Sequence, residues 1–315
     1  MLSRLLSLAV LAAALLAVPA AAPAAPIVGI AENNPQVFSD PLFTKLGAKH
    51  SRVVVSWNVM TRRGDDEVFR VTQYIQAAQA AGVQPLVTFE HARGDATICN
   101  KRKNRRKAQC VLPSAKAYEK NIKRFRDTFP YVRNVVAWNE INHFTQPTYR
   151  NPKAAAKFTS IARKVFKGRT VVAADILDQA DNTRARRPTF RSATKYIKAF
   201  RRYYKGPRKI CGVHNYSDIN RFRSTGTKAI IKALGCKQIW LTETGGIFRF
   251  TGFKASEKRQ ARATKFMFKL ARSIKKIKRL YVYTYFGAVT PRFDAGLVAR
   301  GKARPAFAEV RKRVR

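Results

Sequence analysis

The chain has 315 residues, and 46% of them are hydrophobic, which is enough to bury a sizeable core in one large domain or two small ones. A single long apolar stretch occurs, at the N-terminus, and this excludes a protein with several membrane spans. The 63 Lys and Arg outnumber the 18 Asp and Glu, and the formal charge of +45 favours either polyanionic partners or a highly charged surface without a specific partner.

The N-terminus has the pattern of a secretory signal, which we assign to residues 1–25. Arg4 supplies the positive charge, residues 5–18 form the apolar region, and small residues lead to Ala25. The apolar run is short for a transmembrane helix, so a retained membrane anchor is the weaker alternative. Residues 26–315 are then expected to form a secreted domain, extracellular or associated with the cell wall.

After the signal, short apolar runs alternate with longer amphipathic ones. The short runs are rich in Val, Ile and aromatic residues and nearly continuous in apolar character, as are strands that are buried on both faces. The predicted strands are residues 27–31, 52–57, 84–90, 134–138, 170–174, 209–214, 238–242 and 280–285.

The longer runs carry the spacing and end signals of helices. Asp65 or Asp66 can cap one of them, Gly82 follows its last turn, and Pro152 stands in the first turn of another. The predicted helices are residues 40–46, 65–82, 114–129, 152–168, 189–204, 227–234, 256–276 and 305–314.

Eight strands that alternate with eight helices indicate an α/β fold with a parallel sheet and crossover helices. In a chain of this length, eight units favour a single-domain (β/α)₈ TIM barrel over an open doubly wound sheet. The first strand is followed by no glycine-rich phosphate-binding motif, which also weakens the open-sheet alternative.

The four cysteines are an even number in a chain with a secretory signal, and this pattern favours disulfides. Cys99 with Cys110 and Cys211 with Cys236 each bracket one local segment, so these are the expected pairs. A metal site is the alternative, but the spacing is not CxxC and no histidines cluster nearby.

Polar and aromatic residues stand where the predicted strands end, and in a barrel these positions share one rim. Two glutamates among them suggest a pair of carboxyl groups facing each other across a cleft, the minimum equipment for hydrolysing a glycosidic bond. The strand-end residues are Glu32, Trp57, Asn58, Glu90, His91, Asn139, Glu140, Asp175, His214, Tyr216, Glu243 and Tyr285.

The placement of Asn139-Glu140 after the fourth strand and of Glu243 at the seventh resembles the clan A glycoside hydrolases, the 4/7 barrel enzymes. Arg52 on the second strand and His214-Asn215-Tyr216 at the sixth strand support the resemblance. So does the segment 293–297, followed by Arg304-Pro305-Ala306, and the match extends over the whole mature chain.

The resemblance implies a retaining glycosidase in which Glu140 is the general acid and base and Glu243 the nucleophile. Glu140 would need a raised pKa, and Glu243 would be kept ionised by hydrogen bonds from Arg52 and Tyr216. Asn139 would bind the sugar 2-hydroxyl. Taken separately, Glu140 could be a loop carboxylate and Glu243 a buried ion-pair partner, and Arg52 could instead pair with Glu32.

Further substrate contacts are expected from His91 and His214, which line the rim without the spacing of metal ligands. Many clan members carry a Trp on the eighth strand, whereas this chain has Tyr283, Tyr285 and Phe286. Tyr285 or Phe286 is expected to stack on a sugar instead. Further stacking candidates are Trp57, Phe89, Phe248 and Phe250, although Phe89 and Trp138 are better explained as core residues.

A long loop, residues 93–113, follows the third strand and carries six cations between Cys99 and Cys110. A loop at this place belongs to the active-site face of a barrel. It is either a contact for an anionic polymer near the cleft or a solvated tip, because the rest of the chain is also densely charged.

The sequence therefore predicts a secreted, monomeric glycosidase that acts on a β-linked polysaccharide or oligosaccharide without cofactor or metal. An anionic cell-wall polymer or another polyanion is the expected partner of the basic surface, and no specific nucleic acid is expected. The alternatives are a noncatalytic barrel that binds carbohydrate or cell-wall polyanion, and a polyanion- or nucleic-acid-binding protein driven by charge alone.

Overall fold

The computed structural model describes residues 25–61, 64–182, 184–288 and 293–314. Apart from Ala25, the assigned signal peptide lies outside the described residues, so it remains a prediction. In the part of the chain that is described, no helix combines the length and the apolar character needed to cross a membrane.

The described strands are β1 (Ile27–Ala31), β2 (His50–Ser56), β3 (Gln84–Glu90), β4 (Asn134–Val136), β5 (Thr170–Val172), β6 (Asp175–Leu177), β7 (Ile210–His214), β8 (Gln238–Thr244), β9 (Arg249–Phe250), β10 (Ile277–Tyr283), β11 (Phe293–Asp294), β12 (Val298–Ala299) and β13 (Lys302–Ala303). A strand lies at each of the eight predicted runs, whereas the short strands β6, β9, β11, β12 and β13 lie outside the predicted bounds.

Nine of the described strands form a parallel sheet in the order β5-β4-β3-β2-β1-β10-β8-β7-β6. Its two outer strands, β5 and β6, are segments of one run, interrupted at Ala173 and Ala174. The Ala173 N–H donates to the Ile210 carbonyl at 2.9 Å, so the interrupted run joins β4 on one side to β7 on the other. The sheet thus closes as a barrel of eight strands, and the (β/α)₈ prediction is confirmed.

Helices occupy the connections between the barrel strands. Side chains of Asp65, Ser114 and Asn151 accept N–H hydrogen bonds at three of the helix starts, as expected for N-caps. The described helices are α1 (Pro41–Leu46), α2 (Asp66–Ala80), α3 (Ala115–Thr128), α4 (Pro152–Val165), α5 (Arg191–Tyr203), α6 (Tyr216–Ile219), α7 (Thr225–Leu234), α8 (Glu257–Ser273) and α9 (Pro305–Arg311).

Two apolar layers hold the barrel together. The larger one lies between the strands and the helices and includes Trp138, which stacks on Phe158 of α4 with ring centroids 4.9 Å apart. The smaller one fills the barrel interior with Ala31, Leu86, Val136, Val172, Trp240 and Tyr281. Because the interior is packed, substrate has access only to the rim.

The described cysteines form the two predicted disulfides, Cys99–Cys110 and Cys211–Cys236. The first closes the loop after β3. The second joins Cys211 near the start of β7 to Cys236, two residues before the start of β8, and both of its cysteines are buried.

Replacing Cys211 and Cys236 together by alanine is expected to lower the free energy of unfolding by about 3 kcal/mol, because the unfolded chain gains loop entropy. Chemical denaturation followed by far-UV circular dichroism measures this loss. The Cys99→Ala/Cys110→Ala variant is the control: its shorter, more exposed loop should cost less. An equal or greater loss for the control would contradict the entropic account.

Candidate active site

Glu140 and Glu243 come together at the carboxyl ends of the barrel strands. Asn139-Glu140 follows β4, and Glu243 lies near the end of β8. One carboxyl oxygen of Glu140 lies within 4.8 Å of one carboxyl oxygen of Glu243. Their side chains are 15% and 11% exposed, so both carboxyl groups can be reached from solvent.

The backbone of Glu140 has a φ of +38°, in the left-handed region that a non-glycine residue seldom adopts. Hydrogen bonds of the two neighbouring residues fix this conformation. The Asn139 N–H donates to the Phe89 carbonyl at 2.7 Å, and the Ile141 N–H donates to the Asp175 carbonyl at 3.0 Å. A strained backbone of this kind is typical of functional positions, where the surrounding structure holds a side chain in a required direction.

Arg52 and Tyr216 hold the carboxylate of Glu243. Nη1 of Arg52 donates to Oε1 of Glu243, and the Tyr216 hydroxyl donates to Oε2 at 3.1 Å. Arg52 is fully buried, and its Nη2 donates to Oδ1 of Asn139 at 2.9 Å. One guanidinium group therefore fixes both the Glu243 carboxylate and the Asn139 side chain.

Glu32 is not the partner of Arg52. Its carboxylate accepts hydrogen bonds from the backbone N–H groups of Asn33, Asn34 and Phe286 and from the Thr284 hydroxyl. The acidic partners of Arg52 are Glu243 and Asp175, whose Oδ2 lies 3.7 Å from Nη2.

His214 connects the two glutamates to Asp175. Its Nδ1 lies 2.8 Å from Oε1 of Glu140 and 3.7 Å from Oε2 of Glu243, and its Nε2 lies 3.1 Å from Oδ2 of Asp175. Burial disfavours the imidazolium form, but the carboxylates of Asp175 and Glu243 and the hydrogen-bonding partners outweigh it and raise the pKa of His214 to about 10. His214 is therefore a cation at neutral pH.

The Glu140 carboxyl does not have the raised pKa expected of a general acid. Burial raises its pKa, but the hydrogen bond and charge of His214, together with His143, outweigh burial and lower it. His143 Nδ1 lies 3.4 Å from Oε2 of Glu140. The expectation of a raised pKa is thus wrong for this arrangement, because the His214 cation lies beside the carboxylate and donates to it.

Asp175 is a buried strand-end residue to which the sequence assigned no role in the site. Its carboxylate contacts Arg52, His214 and the Thr242 hydroxyl. A Cβ at Gly212 would lie 2.0 Å from Oδ1 of Asp175, so glycine is required on the neighbouring strand to make room for this carboxylate. Its strand-end position was visible in the sequence, but its partners were not.

Glu90 is a second strand-end carboxyl group to which the sequence assigned no role in the site. Asn139 Nδ2 donates to its Oε2 at 3.3 Å, and His91 Nε2 lies 3.7 Å from the same oxygen. Burial raises the pKa of Glu90 above its ordinary value, more than His91 and Asn139 lower it. His91 lines a cavity that also contains Glu140 and Glu243, as its strand-end position suggested.

Two cavities meet at the glutamate pair. A polar one of about 410 Å³ lies toward β1–β3, and a more aromatic one of about 700 Å³ lies toward the loops after β6, β8 and β10. Both are lined by Glu140, His143, Glu243 and Tyr283. A third cavity of about 640 Å³ shares Phe144, Gln179 and Ala180 with the aromatic one, so the three form a continuous groove.

The aromatic residue of the eighth barrel strand that reaches the groove is Tyr283 rather than Tyr285. Tyr285 is fully buried and packs edge-on against Phe43 of α1, so it cannot stack on a sugar. Tyr283 is the last residue of β10 and lines both cavities at the glutamate pair, whereas Tyr285 lies beyond the end of the strand. Together with Tyr216, Tyr283 contacts Phe293.

The other stacking candidates divide between core and groove. Trp57 is half-buried and packs against the larger core, as a partly buried hydrophobic residue. Phe89 and Trp138 are buried in the core, which confirms that interpretation. Phe250 lines the aromatic cavity, whereas Phe248 lies under the Arg304 guanidinium, 4.0 Å from its carbon to the ring centre.

Glu140, His214 and Glu243 have one ligand atom each within 4.8 Å of the others, a spacing that could hold a metal ion. The chemistry of the donors does not fit one. A histidine ligand must be neutral, whereas both ring nitrogens of His214 face carboxylates and its pKa is about 10.

Residues 102–301 match the family model described as the glycosyl hydrolase catalytic core. The chain belongs to this family. It is therefore a glycoside hydrolase, and the two glutamates lie at the rim where this fold carries its catalytic groups. None of the curated proteins matches the sequence significantly.

Solved structures of glycosidases share the barrel at low sequence identity. A family 39 glycoside hydrolase from Bacteroides cellulosilyticus WH2 superimposes with a TM-score of 0.56 at 13% identity, covering 91% of this chain and 63% of that one. GH5_18 from Streptomyces cattleya, in complex with GlcNAc, has a TM-score of 0.63 at 14% identity, with 91% and 79% covered.

A family 1 β-glucosidase from Thermotoga maritima, in complex with isofagomine lactam, has a TM-score of 0.53 at 13% identity, with 89% and 86% covered. The chain spans 63% of the family 39 structure. The family match shows a glycosyl hydrolase catalytic core, and these structures share the barrel fold that the resemblance to the clan A glycoside hydrolases implied.

Proposed function

We propose that this glycoside hydrolase cleaves β-linked glycosidic bonds with retention, using Glu243 as the nucleophile and Glu140 as the general acid and base. The observation that carries the proposal is the carboxyl oxygen separation of at most 4.8 Å. Retaining enzymes place the carboxyl groups about 5–5.5 Å apart, whereas inverting enzymes need about 6.5–9.5 Å to hold a water molecule between them.

In the first step, an oxygen of Glu243 attacks the anomeric carbon, and the bond from that carbon to the leaving oxygen breaks as Glu140 gives the oxygen a proton. In the second step, Glu140 takes a proton from water, whose oxygen displaces Glu243 and restores the configuration. Arg52 and Tyr216 keep Glu243 ionised and aimed, since both donate to its carboxylate. Asn139, fixed by Arg52 and Glu90, binds the 2-hydroxyl of the reacting sugar.

The proton for the leaving oxygen is held by the Glu140–His214 pair rather than by Glu140 alone. Their atoms are 2.8 Å apart, so one proton can move from Nδ1 of His214 to Oε1 of Glu140. Substrate that displaces water from Glu140 favours the neutral carboxylic acid and hence this transfer. The pair titrates as a unit, and the pKa of about 10 for His214 marks where it loses this proton.

Asp175→Asn is expected to move the alkaline limb of the kcat/KM profile to lower pH. The substitution removes the carboxylate that most strongly raises the pKa of His214, so the pair loses its proton earlier. A pH–rate profile with a soluble aryl β-glycoside measures the shift. Asp178→Asn is the control, because the buried Asp178 binds the N–H groups of Ser217 and Asp218 instead. An unchanged limb in Asp175→Asn would refute the shared-proton account.

The continuous groove supports endo action on a polysaccharide, because chain can extend from the glutamates in both directions. The three cavities together run from the loops after β1–β3 to the region of α4 and α5. We expect a rapid fall in viscosity of a β-glucan or β-mannan substrate at a small release of reducing ends. Release of monosaccharide from chain ends at constant viscosity would indicate exo action instead.

The function is tested by screening the purified protein against β-linked polysaccharides, with Glu243→Ala run beside the wild type. Reducing ends should appear with the wild type alone. A noncatalytic carbohydrate-binding barrel is the second candidate, and the lowered pKa of Glu140 is the observation that favours it. Polysaccharide binding without release of reducing ends by the wild type would support that candidate. The disulfides are compatible with secretion, and we propose a secreted monomer.

A further inference from the structure

The loop after β3 carries a dense group of exposed cations beside the groove. We call residues 99–110 the basic loop; its six cations are Lys101, Arg102, Lys103, Arg105, Arg106 and Lys107, and all are exposed. Among the described residues, none of these six forms an ion pair with a carboxylate. Their charge is therefore available to a ligand.

The shape of the basic loop is fixed by its own contacts. The Cys99–Cys110 disulfide closes it, and the buried Asn104 side chain donates to the Ile98 carbonyl at 2.9 Å. At its far end, Gln109 Nε2 donates to the Asp95 carbonyl at 3.4 Å and packs against Gly94. A fixed loop loses little conformational entropy when it binds, so its cations can act together.

The segment that leads into the basic loop lines the groove itself. Residues 94–97 form one wall of the polar cavity that also contains Glu140 and Glu243. Lys101 follows Thr97 by four residues, a distance of at most about 14 Å along an extended chain. The basic loop therefore begins within about 14 Å of this wall, in reach of a polysaccharide that leaves the glutamates on this side.

The floor of the groove has the opposite character. Glu90, Glu140 and Glu243 line the polar cavity, and Asp175 lies beneath them. Arg52 and the His214 cation offset only part of this negative charge. An acidic group on the reacting sugar would meet these carboxylates, whereas an acidic group farther along the chain would meet the basic loop.

We infer that the substrate is an acidic polysaccharide whose cleaved sugar is neutral, and that the basic loop binds acidic groups on sugars beyond the polar cavity. The inference rests on the proposed glycosidase function and adds the class of substrate. The basic loop differs from the other charged surface in two ways. A disulfide and its own hydrogen bonds fix its shape, and it begins next to the wall of the polar cavity.

The test compares two variants with six cations neutralised in each. The first replaces the six cations of the basic loop by glutamine. The matched control replaces six exposed cations near the amino ends of β7 and β8 or on the neighbouring helices, on the other side of the barrel: Lys198, Arg202, Lys205, Lys209, Lys232 and Lys237. Both variants lose the same formal charge, so any difference in their binding affinity is due to where the neutralised cations lie.

Binding is measured by isothermal titration to carboxymethylcellulose and to hydroxyethylcellulose, which share one β-glucan backbone, with a single-stranded DNA 20-mer as the third ligand. The basic-loop variant should bind carboxymethylcellulose at least about tenfold more weakly than the wild type and with a shallower salt dependence, while the control changes about twofold or less. Binding to hydroxyethylcellulose should be the same for all three proteins.

Equal losses of affinity for carboxymethylcellulose in the two variants would overturn the inference, because binding would then depend on the overall positive charge of the protein. An unchanged affinity in the basic-loop variant would also overturn it. If the DNA bound as tightly as carboxymethylcellulose and the basic-loop variant lost that binding too, the choice of a polysaccharide as the ligand would be overturned. Hydrolysis of a neutral aryl β-glycoside, which is too short to reach the basic loop, distinguishes failure of the proposed glycosidase function from failure of the inference about the basic loop. Its loss in Glu243→Ala tests the glycosidase, and its retention in the basic-loop variant shows that only polymer binding has changed.

Discussion

Glu243→Ala is expected to lower kcat by roughly 10⁴- to 10⁶-fold, the range found when a catalytic nucleophile is removed. Without the carboxylate, no glycosyl–enzyme ester forms, and Arg52 is left in a buried position without its closest acidic partner. Steady-state kinetics with an activated aryl β-glycoside measures the loss. Added azide should restore turnover and give the α-glycosyl azide, because azide fills the space of the carboxylate and attacks from the same face.

Tyr216→Phe is the matched control for Glu243→Ala. It removes one of the two donors to the same carboxylate and leaves the carboxylate in place. A hydrogen bond to a charged group contributes about 1.5–3 kcal/mol, so the expected loss is about 10- to 150-fold. Wild-type activity in Glu243→Ala, or a larger loss in Tyr216→Phe than in Glu243→Ala, would remove Glu243 from the role of nucleophile.

Glu140→Gln is expected to lower kcat/KM by roughly 10²- to 10⁴-fold on substrates with poor leaving groups, because the leaving oxygen is no longer protonated. Substrates with an acidic phenol as leaving group need little protonation and should lose much less in the first step. The glycosyl–enzyme should then accumulate, because the second step lacks its base. A plot of log kcat/KM against leaving-group pKa measures both effects through its steeper slope.

The control for Glu140→Gln is His143→Gln, which removes a histidine 3.4 Å from Glu140 and leaves the 2.8 Å contact with His214 intact. Its slope against leaving-group pKa should stay close to that of the wild type. A wild-type slope in Glu140→Gln would assign the acid role to another residue, and Glu90, with its raised pKa, is then the next candidate.

The two glutamates could be placed from the sequence because each follows a strand whose apolar run is unmistakable. Val135 and Val136 before Glu140, and Ile239 to Leu241 before Glu243, are buried on both faces of the sheet. The carboxyl ends of parallel strands share one rim, so the strand count alone brought the carboxyls together. The eight-unit alternation gave the barrel for the same reason.

The fifth barrel strand and the last aromatic residue were less accessible to sequence reasoning. The run that begins at Thr170 splits into β5 and β6, and its polar Asp175 looked like a strand end although it is the first residue of the second segment. For the eighth barrel strand, the predicted run began three residues after Ile277, so its end was placed at Tyr285 instead of Tyr283. An error of two residues there exchanges a groove residue for a core residue.

The charge state of Glu140 could not be predicted, because it depends on neighbours that are distant in sequence. His214 stands 74 residues away, and Asp175, which helps to keep His214 charged, belongs to yet another strand. The sequence showed these side chains on one rim but not which nitrogen meets which oxygen. The α6 turn, residues 216–219, was missed because four residues are too few for a helical period to show.

Retention through Glu243 is measured by the anomeric configuration of the first product. A β-linked oligosaccharide that the protein hydrolyses is followed by proton NMR in the first minutes, before mutarotation mixes the anomers. We expect the β-anomer to appear first and the α-anomer only later. Initial appearance of the α-anomer would mean inversion, and it would contradict both the nucleophile role of Glu243 and the meaning given to the 4.8 Å separation.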